Sequence, residues 1–519
     1  MLAHALRFSI SILLVSWVSS QPSPKVAIIG CGISGSFLSH FLAAENFTTT
    51  TFCPPGCGRV KSTTIQFADR SLTVELGASI AYVGNQLIAS TPTSLHKKVP
   101  YEDNPSSTFG VYSVASSSFK FRQSNPTPLT FLNKIYNKLL LLWTYPSLLK
   151  LVPHVNQAAS ALDSLYASLS LGATYPTPHS LWSSLSLSPH LTTSWSTFYS
   201  TKISPLPSRL YSELSAAVNR VNYNALTPED DLPALVSLVS HVPLVSGDLF
   251  NYVEGNDNIC NDVARGEKVN GAISLALYDG GSGKFSLYGG GEMKGLEGGY
   301  DVVVLAMPWM QREGGLEFKE TSHIDRAVVM DMRFEHEGAF LGGGGGGEYK
   351  TTVTTYVEAE GRVKGLRKEG EGEVPESVFF VDGSYSDDEV FSITLIMEEG
   401  GRALYKVFSS KNISHTTLEG MFGANAKVLT SHAWSPSTFN GAYPTFSTEG
   451  TDDAPFKLDG RGVWSTGVFE STGSAMEIMA ISGRVVANGI VKEFREAGAR
   501  DGGGEGEEGG ERYGNREEL

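Results

Sequence analysis

The chain of 519 residues has only four cysteines, Cys31, Cys53, Cys57 and Cys260. That is too few for a disulfide scaffold, so an apolar core must carry the stability. Cys53-x-x-x-Cys57 has no second pair at zinc spacing. A local disulfide and two buried thiols are the readings it leaves open. Eleven histidines include no H-x-H and no H-E-x-x-H, and no Ser-His-Asp or Cys-His arrangement follows from spacing. Metal and triad chemistry therefore find no footing. His40 falls on the first predicted helix for structural reasons, and nothing singles out His432, near Trp434 and Tyr443. Beyond the N-terminal segment no run reaches about 18 uninterrupted apolar residues, so no membrane span is expected. The formal net charge of −15 argues against nucleic acid or an anionic membrane as partner.

What the chain does have begins at its N-terminus. Residues 1–20 read as a secretory signal: Arg7, then an apolar core from Phe8 to Val18, then the small residues Ser19 and Ser20. Two sequons, Asn46-Phe47-Thr48 and Asn412-Ile413-Ser414, fit a secretory route. Lys25-Val-Ala-Ile-Ile-Gly30-Cys-Gly32-Ile-Ser-Gly35 follows. Val26–Ile29 reads as a buried parallel strand, and Phe37, Leu38, Phe41 and Leu42 continue at helical spacing. Strand, glycine turn and helix in this order is the setting of a dinucleotide-binding turn. Gly30 makes the tight turn, Gly32 admits a pyrophosphate, and Gly35 lets helix and strand pack closely. The helix N-terminus supplies N–H groups and partial positive charge. On its own the motif leaves NAD and FAD equally open.

The organisation is interleaved. Strand and glycine-turn material lies at residues 24–100, 250–310 and 456–495. Between these sit a Ser-, Leu- and Pro-rich helical stretch at 101–249 and a β-rich stretch at 311–455. The second includes six consecutive glycines, Gly342 to Gly347, which read as a flexible loop. Residues 496–519 hold eight acidic residues and three arginines among many glycines, and are expected to be a disordered tail. A nucleotide domain in three pieces points to a flavoprotein rather than to a simple nicotinamide dehydrogenase. The expected class is α/β: a Rossmann-type FAD/NAD(P)-binding domain built from discontinuous segments, with an inserted mixed α+β substrate domain.

Several separated blocks resemble the prenylcysteine oxidase (prenylcysteine lyase) family of amine-oxidase-like flavoproteins. After the fingerprint come Gly58-Arg59-Val60 and Val74-Glu75-Leu76-Gly77-Ala78-Ser79-Ile80. Asn219-Arg220-Val221-Asn222-Tyr223 and Tyr252-Val253-Glu254-Gly255-Asn256 follow. Next are Asp301-Val302-Val303-Val304-Leu305-Ala306-Met307-Pro308 and Tyr405-Lys406-Val407-Phe408-Ser409. The last block is Glu470-Ser471-Thr472-Gly473-Ser474-Ala475-Met476-Glu477. Arg220–Tyr223 and Ser474–Glu477 are the blocks that point to the narrower family.

The resemblance implies FAD as cofactor and oxidative cleavage of a prenylcysteine thioether to cysteine, a prenyl aldehyde and hydrogen peroxide. Oxygen is the acceptor, and the setting is a lysosome, a vacuole or the extracellular space. It implies that Gly30, Gly32 and Gly35 hold the pyrophosphate and that Gly58 and Arg59 lie along the diphosphate or flavin. Gly77, Ala78 and Ser79 then pass the isoalloxazine, Ile273 offers backbone to the adenine, and Glu470 accepts from a ribityl hydroxyl. Ser474, Ala475 and Met476 open the last helix toward the flavin. Arg220, with Tyr223 beside it, is the candidate for the substrate carboxylate. Leu139–Trp143 and Leu148–Val152 are candidates for an apolar tunnel wall, with an ordinary helix core as the other reading. The chain departs from the pattern at the end of the second strand, where Cys53 stands in place of the acid that binds the adenosine ribose. Cys57 also replaces a glycine before Gly58. A related amine oxidase and a prenyl-ligand binder without FAD are the alternatives.

Overall fold

After Lys25, every residue of Lys25–Ile29 is buried, as befits a central parallel strand covered on both faces. This strand, β1, lies at the middle of a five-stranded sheet with β2 (Thr48–Cys53), β3 (Glu267–Asn270), β4 (Val302–Leu305) and β5 (Val463–Ser465). The order is β3-β2-β1-β4-β5 and every pairing is parallel. Helix α1 (Ile33–Ala44) makes the crossover from β1 to β2. The computed structural model describes residues 23–502 except 92–95, 99–107, 126–127, 226–230, 247–248, 290–297, 309–315, 322–328, 332–348, 367–372, 384, 386–387, 437–440 and 449–453.

The expected α/β class holds, with the parallel sheet drawing its strands from three separated stretches of chain. Between β2 and β3 run the hairpin Ser62–Phe67/Arg70–Glu75 and then helices α2 (Thr130–Thr144), α3 (Leu148–Ser170) and α4 (Ala216–Tyr223). The stretch 101–249 is not wholly helical. Phe109–Ser113 and Ser118–Arg122 form a hairpin, and Phe109–Ser113 pairs in parallel with Ser377–Phe380. The alternation of Phe119 and Phe121 was the strand signal, masked by the surrounding serines.

That hairpin forms one edge of a seven-stranded sheet. The order from the other edge is Lys427–Trp434, Thr352–Glu360, Arg402–Ser409, Val390–Glu399 and Ser377–Phe380. One face buries Val357, Ile393, Tyr405 and Val407 in their own core. The opposite face sets Tyr356 and Leu404 against Ile65, Phe67 and Leu76. The second insert therefore sits directly on the segment that follows β2.

Three further expectations are corrected. The run from Val269 to Leu277 is two strands, because β3 ends at Asn270 and Ile273–Asp279 belongs to a separate four-stranded sheet. The final helix, α5 (Met476–Gly502), continues beyond residue 496. Its buried stripe of Val485, Val486, Ile490 and Val491 and an Arg495–Glu45 ion pair of 2.6 Å hold it against α1. Cys53 and Cys57 do not bond to each other. The disulfides are Cys31–Cys53 and Cys57–Cys260, with Cα separations of 5.7 and 5.6 Å. The end of β2 lies beside the glycine turn, so Cys53 meets Cys31. Residues 1–20, the Gly342–Gly347 run and residues 503–519 lie outside the described residues. Among the described residues no helix is long and apolar enough to cross a membrane.

Candidate active site

The glycine turn is built on close approaches. Gly30 has φ +117°, and a Cβ there would stand 2.4 Å from the Ala306 carbonyl oxygen at the end of β4. A Cβ on Gly35 would meet the Gly30 oxygen at 2.0 Å, so α1 starts directly against the turn. Gly32 is the N-cap of α1, with no side-chain cap and no acidic residue in the first turn. The leading N–H groups of the helix are thus left without a competing carboxylate, as a diphosphate requires. Gly58 faces this turn; a Cβ on it would lie 3.2 Å from the Gly32 Cα. These small residues fit the diphosphate of a dinucleotide. At the ribose end the register sets Asn270 beside Cys53, and Cys53 is bonded to Cys31. A disulfide stands where the motif places its acid.

Arg59, Glu470 and Ser474, drawn from separate blocks of the sequence, come together. Arg59 forms an ion pair with Glu470, whose side chain is 3% exposed against 24% for Arg59. The Arg59 Nη1 also donates to the Ala442 carbonyl at 3.0 Å and to the Ser474 Oγ at 3.4 Å. Ser474 Oγ donates to Glu470 Oε1 and the Tyr349 hydroxyl to Oε2, both at 2.8 Å. Burial pushes the Arg59 guanidinium down, but the Glu470 carboxylate outweighs it and raises it above its ordinary value. Tyr349 was not anticipated; its burial beside a carboxylate holds its phenol protonated. Glu470 sits on the 3₁₀ turn Gly467–Thr472, immediately before Ser474 and α5. Ala475 is exposed at that junction and Met476 is buried just after it.

The segment from Glu75 to Ala78 is clamped from both sides. On one side Leu76 N–H donates to the Lys61 carbonyl at 2.8 Å and Ala78 N–H to Arg59 at 3.2 Å. A Cβ on Gly77 would lie 2.0 Å from the Arg59 oxygen. On the other side the Leu76 carbonyl accepts from Thr354 Oγ1 and Trp434 Nε1, each at 2.8 Å, and the Glu75 carbonyl accepts from Tyr356 at 3.0 Å. The Glu75 carboxylate is buried and accepts from Asn256 N–H at 2.7 Å and Ser62 at 2.9 Å. Asn256 Nδ2 holds the Ala78 carbonyl at 3.0 Å. Burial pushes Glu75 up toward neutrality and pulls the facing Lys406 ammonium down. Ser79 follows this clamp, half-buried.

Other predicted residues lie as follows. Tyr223, at the end of α4, packs edge-on against Tyr443 at 5.8 Å and Phe446 at 5.1 Å. Tyr443 in turn faces Arg59, so Tyr223 belongs to an aromatic wall beside the Arg59 cluster. Arg220 is buried elsewhere on α4. Its Nη2 donates to the Gly383 carbonyl at 3.4 Å and its guanidinium lies 5.5 Å from the Phe391 ring. This joins the helix to the seven-stranded sheet. Ile273 is buried in the core beneath the parallel sheet. His432 contacts Trp434 edge-on at 4.5 Å, and burial lowers its pKa. Thr354, Tyr356 and Trp434 had no signal except strand alternation; Lys406 lay in a family block without an assigned role.

The tunnel-wall candidates divide. Leu148 and Leu151 belong to the helical core, whereas Leu139 and Trp143 are 61% and 86% exposed. The latter are therefore neither core nor an enclosed wall.

Residues 346–500 match the family model of prenylcysteine lyase. The chain is 24% identical to farnesylcysteine lyase of Arabidopsis thaliana over 502 residues, covering 92% of this chain and 90% of that protein. A putrescine oxidase variant superposes with a TM-score of 0.57 at 14% identity, over 91% of this chain and all of the other. Cyclohexylamine oxidase from Brevibacterium oxydans gives 0.50 at 16% identity, over 91% of this chain and 100% of its own. The chain has the fold of these amine oxidases, and its C-terminal third matches the family model of prenylcysteine lyase.

Proposed function

We propose that the protein is an FAD-dependent oxidase that cleaves the thioether of a prenylcysteine such as farnesylcysteine. The overall change is prenylcysteine, oxygen and water to cysteine, prenyl aldehyde and hydrogen peroxide. Bound FAD would supply the two-electron acceptor for hydride from the allylic carbon next to sulfur, and its passage to oxygen. The observation that carries the reading is the convergence of Arg59, Glu470 and Ser474 at the start of α5, opposite the glycine turn of the same parallel sheet.

Gly30, Gly32 and Gly35 would hold the diphosphate, and Gly58 and Arg59 would flank it. A planar guanidinium offers several donors in a fixed fork. Gly77 and Ser79 would line the flavin ring plane, fixed by the clamp on Leu76. The N-terminus of α5, at Ser474, Ala475 and Met476, offers partial positive charge to the ring. Glu470 would exchange its Tyr349 or Ser474 donor for a ribityl hydroxyl. Tyr223, Tyr443 and Phe446 supply apolar surface suited to a prenyl chain, and their aromatic faces exclude water from the reacting carbon. Ile273 would contribute backbone near the adenine, and Arg220 is the candidate carboxylate partner.

Two disulfides and exposed sequons at Asn46 and Asn412 support a glycoprotein of an oxidising, secretory or lysosomal compartment. The visible spectrum of the purified protein, followed by peroxide release with farnesylcysteine, tests the reading. Flavin absorbance and peroxide are expected. Absence of flavin even after reconstitution would sink it. Amine-driven peroxide without any from farnesylcysteine would favour a flavin amine oxidase. The Cys31–Cys53 bond at the ribose position favours a second reading, a prenyl-ligand binder without FAD. Ligand binding with no flavin uptake would select it.

A further inference from the structure

Helix α2 buries two asparagines and leaves one apolar face in water. Its buried residues are Asn133 and Asn137, the latter accepting from Ser124 N–H at 3.1 Å. One apolar face points to water: Phe131 is 70% exposed, Leu139 61% and Trp143 86%, with Leu132, Ile135 and Tyr136 also exposed, while Leu140, Leu141 and Leu142 pack partly buried against the helical core. Positions 132, 135, 136, 139 and 143 follow helical spacing and form one continuous stripe. Leu149 extends it across the turn into α3. In water alone a helix settles the other way round, because each such side chain gains by burial. A contiguous apolar stripe of this kind marks a surface that meets something else.

The charge beside the stripe says what it meets. Residues 104–162 contain five basic residues, Lys120, Arg122, Lys134, Lys138 and Lys150, and no acidic one, in a chain of net charge −15. Lys134, Lys138 and Lys150 are exposed alongside the stripe. Glu213, which reaches Tyr145 past the end of α2, is already paired with Arg209. Tyr and Trp on an apolar stripe flanked by lysines suit the boundary between acyl chains and headgroups. A second copy on this face would bring like charges together.

We propose that α2 is an interfacial helix that docks the protein on an anionic phospholipid bilayer. The stripe lies at the headgroup–acyl boundary and Lys134, Lys138 and Lys150 contact lipid phosphates. The docking does not depend on the reaction proposed above. The acidic remainder of the chain is repelled from such a surface, so the protein approaches by this face alone. The net-charge argument against anionic membranes averages over the chain and misses this local reversal.

The test is co-sedimentation of the purified full chain with vesicles of phosphatidylcholine alone or with 30% phosphatidylserine added. Binding to the mixed vesicles is expected, at least tenfold weaker to phosphatidylcholine alone and abolished by 0.5 M salt. A variant combining Phe131→Ser, Leu139→Ser and Trp143→Ser should lose at least tenfold in partitioning. Its near-UV circular dichroism and melting temperature should stay unchanged, because these side chains already face water. Combining Lys134→Gln, Lys138→Gln and Lys150→Gln should remove the preference for phosphatidylserine. Failure of the wild type to bind either vesicle, or undiminished binding by the serine variant, overturns the proposal. So does a wild-type dimer by light scattering that the serine variant converts to monomer.

Discussion

The guanidinium of Arg59 is paired with the carboxylate of Glu470, joining the loop after β2 to the turn before α5. Among the described residues the other donors to Glu470 are the neutral hydroxyls of Tyr349 and Ser474. Removing one partner from a buried pair leaves the other uncompensated. Glu470→Ala should therefore destabilise the protein by about 2 kcal/mol, less than a fully buried pair because Arg59 is partly exposed. Glu470→Gln should keep most of that stability and still lose flavin, with roughly tenfold weaker reconstitution. Urea unfolding and flavin titration separate the two effects; equal flavin affinity in the Gln variant would remove Glu470 from the cofactor site.

The two disulfides close loops of different length, with sequence separations of 22 and 203. Chain-entropy arguments give losses of about 3 kcal/mol for Cys31→Ser/Cys53→Ser and about 5 kcal/mol for Cys57→Ser/Cys260→Ser. The first pair includes Cys31 of the glycine turn itself, whereas the second meets the turn only through the Cys57–Gly58 backbone. Flavin affinity should therefore fall more in the less destabilised variant, and a matching order of the two losses would contradict this.

Glu75 and Lys406 are buried opposite charges on facing elements. Either Glu75→Gln or Lys406→Met alone should cost about 3 kcal/mol. The double variant should fall well short of the sum, with a coupling of 1–2 kcal/mol in order of magnitude. Denaturant midpoints of the four proteins give the cycle, and strict additivity would show that the two groups do not interact.

His241 has no exposed surface, stacks on Trp195 at 5.4 Å, and its Nδ1 lies 2.6 Å from the Ser237 carbonyl. Burial pulls its pKa down to about 4 from 6.5. The unfolded chain then binds the extra proton first, so stability falls as pH drops from about 6.5 to 4. The whole span is worth about 3 kcal/mol. His241→Phe should flatten this limb between pH 7 and pH 4.5 in urea titrations. An unchanged slope would assign the acid sensitivity to other groups.

Much of the parallel sheet was legible because its signals are local. Val26–Ile29 and the glycines are contiguous, and Asp301–Pro308 is an apolar strand with a proline stop. The Arg59, Glu470 and Ser474 cluster became legible only through family blocks, since no local pattern links residues on different elements. Thr354, Tyr356 and Trp434 were invisible because they act through alternate positions on strands whose composition is ordinary. The disulfide pairing was missed for a similar reason: Cys53 and Cys57 are close in sequence, but strand direction sends them to different partners. Helix α2 split the core reading, with Leu140–Leu142 against the helical core and Leu139 and Trp143 in water, because hydrophobicity says which side chains avoid water and not which face the fold covers.

The strand order also fixes when the molecule can be finished. β5 flanks β4, yet Val463–Ser465 leaves the ribosome long after Val302–Leu305. At about 5–20 residues per second, roughly 10–30 s separate the two, and in that interval one edge of the central sheet is unpaired. Glu470 and Ser474 emerge later still. The nucleotide turn is thus among the first pieces synthesised and its charged counterpart among the last. A chain that stops before β5 carries the fingerprint without the means to use it.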